Sequence, residues 1–173
     1  MAILTAYFSR AGENYFGGEY RFINVGNTEK AAKMISEITG ADLFKIEPKT
    51  SYSPTYSVCI EQAKADLKNN ARPELVSLPK SIDKYDEIYL GYPSYWRNMP
   101  MAVYTFLESF NWKGKIIHPF CTHEGSGLSD RVKEIKRVCK GAKITDGLAI
   151  VGSYVDSAKP SIEKWIEKVR KIR

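Results

Sequence analysis

The chain is short of the residues that build metal and disulfide sites. It has three cysteines, Cys59, Cys121 and Cys139, and two histidines among 173 residues. No two of the cysteines form a C-x-x-C pair, and their number is odd, which argues against a disulfide framework and against a zinc ribbon. The thiols read as reduced and partly buried. Long apolar runs are also missing, and nothing approaches the ~20 residues that a membrane helix needs. The first residues, Met1-Ala2-Ile3-Leu4-Thr5-Ala6-Tyr7-Phe8, lack a basic leader region and read as a strand. A cytoplasmic protein with no membrane partner is the expectation. No repeat, linker or low-complexity tract divides the chain, so a single domain over residues 1–173 is expected.

Hydrophobic residues supply 43% of the chain and charged residues 27%, enough for a layered core under a solvated surface. The net charge is +6. Basic charge can mark a nucleic-acid binder, but here Lys and Arg are spread along the chain with no recognised motif. The densest group, Lys159 to Arg173, sets Lys164, Lys168 and Lys171 among apolar residues at helical spacing. That is the pattern of a solvated helix face, so no nucleic-acid partner is expected.

Apolar periodicity alternates between two kinds of element. Runs at 2–8, 42–46, 86–91, 115–120 and 143–150 read as strands. Between them lie helical patterns. Ala31, Met34, Ile35 and Ile38 share one face, with Asn27 as N-cap and Gly40 as the stop. Tyr56, Cys59, Ile60 and Ala63 share a second face over 55–68. Val103, Phe106, Leu107 and Phe110 share a third behind Pro100. Leu128, Val132, Ile135 and Val138 mark a fourth helix, and Ile162, Trp165, Ile166 and Val169 a fifth behind Pro160. Strict alternation predicts an α/β fold, a parallel sheet covered by helices on both faces with right-handed crossovers. The Gly- and aromatic-rich segment from Ala11 to Gly26 carries neither pattern.

Ligands of open α/β sheets bind at the carboxyl ends of the strands. Three segments of this chain sit there. Ser9, Arg10, Asn27 and Thr28 surround the start of a helix, where free amides and the helix dipole attract a phosphate. No G-K-[ST] is present, so this is not a Walker loop. Pro93-Ser94-Tyr95-Trp96, with Met99 close behind, sets aromatics past a strand end, suited to stacking on a planar ring. Thr122-His123-Glu124-Gly125-Ser126-Gly127 offers close backbone approach and hydroxyls for a polar ring edge. His123 and Glu124 are sequence neighbours with no nucleophile beside them, which argues against an acid–base pair. No catalytic residue and no metal ligand is expected. Phosphate cradle, flat face and polar edge together suit a nucleotide with a large planar heterocycle.

At these residues the sequence resembles the flavodoxin family, in particular the flavodoxin-like proteins of anaerobic bacteria. The shared features are Tyr7-Phe8-Ser9-Arg10, Gly26-Asn27-Thr28, Gly91-Tyr92-Pro93 with Tyr95-Trp96, Met99-Pro100-Met101 and Thr122 to Gly127. The resemblance implies a flavodoxin-like five-stranded parallel sheet of order 2-1-3-4-5 and the cofactor flavin mononucleotide (FMN). It places the FMN phosphate on Ser9, Arg10, Asn27 and Thr28. One side of the isoalloxazine falls to Pro93, Ser94, Tyr95 and Trp96, with Met99 near its edge. Thr122, His123, Glu124, Gly125, Ser126 and Gly127 take the other side and the pyrimidine edge. The function implied is electron carriage between redox proteins, with an NAD(P)H-dependent reductase of quinones or similar small acceptors as the alternative.

Two departures stand out. The family's compact S/T-x-T-G-x-T phosphate loop is matched in spacing by Ser9-Arg10-Ala11-Gly12-Glu13-Asn14, without its threonines. Residues 13–25 are inserted before Gly26-Asn27-Thr28, and Asn27 and Thr28 are preferred because they adjoin the helical pattern. The family is also typically acidic, whereas this chain is basic. An acidic redox partner is therefore expected, with the protein itself a monomer or weak dimer. A phospho-acceptor receiver of the same fold would need acidic residues at the ends of strands one and three, where this chain has Ser9 and Tyr92-Pro93.

Overall fold

A computed structural model describes residues 2–172. The elements run β1 (Ala2–Tyr7), β2 (Gly12–Phe16), β3 (Glu19–Ile23), α1 (Asn27–Thr39), β4 (Asp42–Lys45), α2 (Tyr56–Lys68), β5 (Tyr85–Pro93), α3 (Met101–Glu108), β6 (Ile116–His123), α4 (Arg131–Val138), β7 (Lys143–Ile144), β8 (Leu148–Val151) and α5 (Lys159–Arg170), with a short 3-10 turn, Gly152–Ser157, before α5. The main sheet has the order β4-β1-β5-β6-β7, and β8 also pairs with β6. Every pairing in it is parallel. In strand-by-strand terms this is the 2-1-3-4-5 order.

The expected fifth strand, 143–150, is broken into β7 and β8. Side-chain bonds flank the break. The hydroxyl of Thr145 turns to His118 Nδ1 at 2.8 Å, and the carbonyl of Asp146 takes the indole N–H of Trp165 at 2.9 Å. The Asp146 bond ties the break to α5.

Alternation along the strands sorts the two faces. Leu4, Ala6, Ile88, Leu90, Ile117 and Cys121 pack under α3 and α4. Tyr7, Tyr89 and Phe120 pack under α1 and α5, against Ala31, Ile35, Ile162 and Trp165. Near the amino end of the sheet this second face also buries charge. Glu87 is 1% exposed and His118 fully buried. The Glu87 carboxylate accepts from Tyr89 Oη at 2.9 Å and Arg170 Nε at 3.2 Å, and lies 3.1 Å from His118 Nε2. Burial pushes its carboxyl up, but the bonds from His118, Tyr89 and Arg170 outweigh burial and hold its pKa at about 2.

The segment from Ala11 to Gly26 is not an irregular loop. Residues 12–23 form an antiparallel hairpin, β2 on β3, set off from the main sheet. Its turn is Gly17-Gly18, both at positive φ (56° and 110°), the backbone that a two-residue hairpin needs. A Gly-Gly pair between aromatic runs is a hairpin signal that apolar periodicity alone passes over.

Candidate functional site

The hairpin splits one loop and leaves its two halves touching. Gly26 is the N-cap of α1, and Asn27, expected as the cap, is the first helical residue. Gly26 has no side chain to cap with, and a distant one substitutes. Ser9 Oγ, at the end of β1, accepts the amide of Glu29 at 3.0 Å. That is the bond an N-cap serine makes to the third helical amide, supplied here from another strand. Only glycine fits at position 26, because a Cβ there would lie 2.1 Å from Ser9 Oγ and 2.7 Å from the Arg10 carbonyl oxygen. The amides of Asn27 and Thr28 open the helix and have no partner within it. Thr28 Oγ1 lies 2.7 Å from Thr122 Oγ1, both buried, which ties the start of α1 to the end of β6.

The loop after β5 is held at a strained turn. Tyr95 and Asn98 exchange backbone hydrogen bonds at 2.8 and 2.9 Å. The two residues between them, Trp96 and Arg97, have φ of 52° and 58° without being glycine, a cost of about 1–3 kcal/mol each. Side chains hold the turn. Trp96 Nε1 donates to the Ile60 carbonyl of α2 at 2.7 Å. Asn98 Oδ1 accepts from the Met99 amide at 2.8 Å, Tyr104 Oη at 2.9 Å and Arg131 Nη1 at 2.8 Å. The Ser94 amide donates to the Thr122 carbonyl at 2.9 Å, which links this loop to the third one.

The third loop leaves the site early. Glu124 accepts the Ser153 amide and the Ser153 hydroxyl, both at 2.7 Å, and so anchors the turn before α5. Ser126 Oγ donates to Ser94 Oγ at 2.7 Å. His123 Nδ1 accepts the Gly125 amide at 2.9 Å, which puts a neutral ring's proton on Nε2. Burial pushes the His123 pKa down, and Glu124 only partly restores it.

These segments enclose a cleft of about 260 Å³. Of the residues singled out in the sequence, Ser9, Arg10, Asn27, Thr28, Pro93, Ser94, Tyr95, Trp96, Thr122, His123 and Glu124 line it. Gly125, Ser126 and Gly127 do not, although Ser126 Oγ stays bonded to the cleft-lining Ser94 Oγ. Met99 is 1% exposed and belongs to the core under α3, not to the cleft. Arg10 aims its guanidinium at the hairpin side, donating to the Ser53 carbonyl at 2.8 and 3.1 Å and to the Glu13 carbonyl at 2.6 Å. Sequence reasoning set Asn14 aside in favour of Asn27 and Thr28, and missed Tyr15 of the hairpin and Gly152. The face of Tyr56, Cys59, Ile60 and Ala63, read only as one side of a helix, forms the cleft wall on α2.

The cleft has two unlike halves. The α1 and β6 side carries hydroxyls, an amide side chain and free helix amides. The α2 and hairpin side carries aromatic rings, a thiol and aliphatic groups beside the Arg10 guanidinium and the Asn14 amide. The first half suits a phosphate and a polar ring edge, and the boundary between them suits a flat ring. Among the described residues no cluster of His, Cys, Asp or Glu could hold a metal ion. No described helix is long and apolar enough to cross a membrane.

Comparison with known proteins agrees with the architecture. A family model described as flavodoxin matches residues 19–169. Among solved structures, a protein assigned as a flavoprotein from Bacteroides uniformis is 26% identical, with a TM-score of 0.77 over 96% of this chain and 97% of that one. A flavoprotein in complex with FMN from Lactobacillus acidophilus is 20% identical, with a TM-score of 0.63 over 90% and 97%. Oxidised flavodoxin 2 from Bacillus cereus is 19% identical, with a TM-score of 0.55 over 97% and 99%. The last two show the same fold. No curated protein matches the chain.

Proposed function

The chain belongs to the flavodoxin family, and from that premise we propose that it binds one FMN non-covalently in the cleft and carries electrons between redox partners. The observation that carries the reading is the split cradle. Ser9 and Gly26-Asn27-Thr28, far apart in sequence, meet at the start of α1 and leave its first amides free for a phosphate. The donor set fits the cofactor. Ser9 accepts the Glu29 amide and keeps its own O–H to give, and the Asn27 side chain lines the same space. Pro93, Ser94, Tyr95 and Trp96 would hold the ring's face, and Thr122 and the His123 Nε2–H would meet its polar edge. When bound, FMN supplies one- and two-electron chemistry, and the protein supplies binding, orientation and electrostatics.

The net charge of +6 favours an acidic redox partner, whose binding should weaken steeply with salt. The direct test of the core reading is the absorption spectrum of the purified protein. Flavin bands, with FMN released on denaturation, are the expected result. A colourless protein that takes up no FMN on titration would overturn it.

A second reading, an FMN-dependent NAD(P)H reductase of quinones or similar acceptors, draws on the aromatic half of the cleft. A carrier has no need of a substrate wall. Steady-state NADPH consumption by the FMN-loaded protein separates the two, since a carrier without its partner shows none.

A further inference from the structure

We propose that the β2–β3 hairpin is a strap across the cleft, and that FMN enters and leaves only when this strap lifts. The inference rests on the FMN reading above and concerns the exchange of that cofactor. Both roots of the hairpin adjoin the phosphate cradle, Gly12 just after Arg10 and Ile23 just before Gly26. From there β2 crosses to the far side. Near its start the Glu13 carboxylate accepts the Tyr56 amide of α2 at 3.0 Å. At its tip a Cβ on Gly17 would lie 3.9 Å from Glu124 Oε2 and 3.9 Å from Ser153 Oγ. Residues 13 to 17 span about 13 Å at the rise of a strand. Tyr56 and Glu124 line the cleft, as do Asn14 and Tyr15 of the strap itself. The hairpin therefore runs from one lip of the cleft to the other.

The strap is firm at its root and loose at its tip. At the root the Glu13 amide donates to the Pro54 carbonyl at 2.9 Å, and Arg10 donates to the Ser53 and Glu13 carbonyls. At the tip Ser153 already engages both oxygens of Glu124. Among the described residues no hydrogen bond joins residues 17–18 to the opposite lip. The outer strand is open to solvent, with Tyr20 62% and Phe22 71% exposed. Rings hold the middle down, since Tyr15 and Tyr20 rest on Tyr56 at centroid distances of 6.2 and 5.3 Å. Phe16, next to the tip, is buried yet belongs to neither core of the sheet, and so serves as an apolar latch. Lifting the tip breaks ring contacts and no hydrogen bond to the opposite lip. A segment held in this way opens locally while the rest of the fold stays shut. Retention of the cofactor is then kinetic as well as thermodynamic.

The experiment measures FMN association with the apoprotein and FMN release from the loaded protein, both by flavin fluorescence. Gly17→Cys with Ser153→Cys lets a disulfide pin the tip to the opposite lip. Closed with oxidised glutathione, this variant should bind and release FMN at least tenfold more slowly than in its own reduced form. The wild type under the same treatment controls for Cys59. Phe16→Ala removes the latch, which lies outside the cleft lining. It should speed both rates at least fivefold and leave the FMN Kd within twofold, because a gate opens equally for entry and exit. Equal rates in the oxidised and reduced double variant overturn the strap. So does a cysteine pair that forms no disulfide, since the tip then does not reach Ser153. A Phe16→Ala protein that only releases faster, with a Kd raised in proportion, also overturns it, because the hairpin is then a wall and not a gate. A wild type that takes up no FMN overturns the functional reading instead, and this inference with it.

Discussion

At the amino end of the sheet Glu87, His118, Thr145 and Arg170 answer one another's hydrogen bonds beneath α5. At the carboxyl end Ser9, Thr28 and Thr122 are also bonded, but they border free helix amides and an open cleft. Both ends concentrate polar groups on one sheet, for opposite purposes. The first cluster is closed and contributes to holding the fold together. The second is left short of partners, so a ligand can complete it. Buried polarity alone therefore does not mark a functional site; unfinished polarity at a strand's carboxyl end does.

The comparison breaks most visibly at Glu87. Glu87→Ala strips one member from a buried charge cluster and should cost about 3–5 kcal/mol of unfolding free energy. Denaturant titration measures that loss, and the FMN Kd of the remaining folded protein should not change. A shift in FMN affinity comparable to the stability loss would join two ends that the structure separates. Acid probes the same group. Its folded pKa of about 2 lies below the ordinary 4.5, so its stabilisation is present above pH 4.5 and is lost as pH falls toward 2. The loss is about 3 kcal/mol, and Glu87→Gln should flatten that acid limb.

At the other end the largest effect falls on binding. Gly26→Ala puts a methyl group against the Arg10 carbonyl and Ser9 Oγ. It should raise the FMN Kd at least tenfold while costing about 1–3 kcal/mol of stability. Ser9→Ala removes the borrowed cap, at about 1 kcal/mol, and the hydroxyl offered to the phosphate, with a smaller but clear loss of FMN affinity. The smallest effect concerns the thiols. Burial raises the Cys121 and Cys139 pKa values to about 12, so neither should react with iodoacetamide at pH 8 in the folded protein. Cys59 is raised by burial too, opposed by Arg10 and Tyr95, and it lines the cleft. Slow labelling there, slowed further by FMN, is the expected pattern.

Much of this was legible in the chain. The alternation of five strands with five helices follows from periodicity, because each face of the sheet is buried and enforces it, while the strand order is what the family resemblance implies. The site's polar half was legible too, since strand ends and helix starts are where Ser9, Thr28 and Thr122 fall. What periodicity does not distinguish is a core face from a cleft wall. Tyr56, Cys59, Ile60 and Ala63 recur at helical spacing, as core residues do, and their face turns toward a cavity instead. Nor does it show where a loop stops. Gly125, Ser126 and Gly127 follow cleft residues in sequence, yet they are not in its lining. Met99 adjoins the aromatic loop in sequence, yet its side chain fills the core under α3.

The hairpin has a consequence for how such a protein diversifies. It leaves the chain after Arg10 and rejoins it at Gly26, two positions in close approach. Its entry and exit are therefore one doorway. Sequence can be lengthened, trimmed or exchanged beyond that doorway without moving α1 or the end of β1. A lineage can rewrite what the cleft admits on that side while inheriting its nucleotide seat unchanged, much as a lock is rekeyed without rehanging the door.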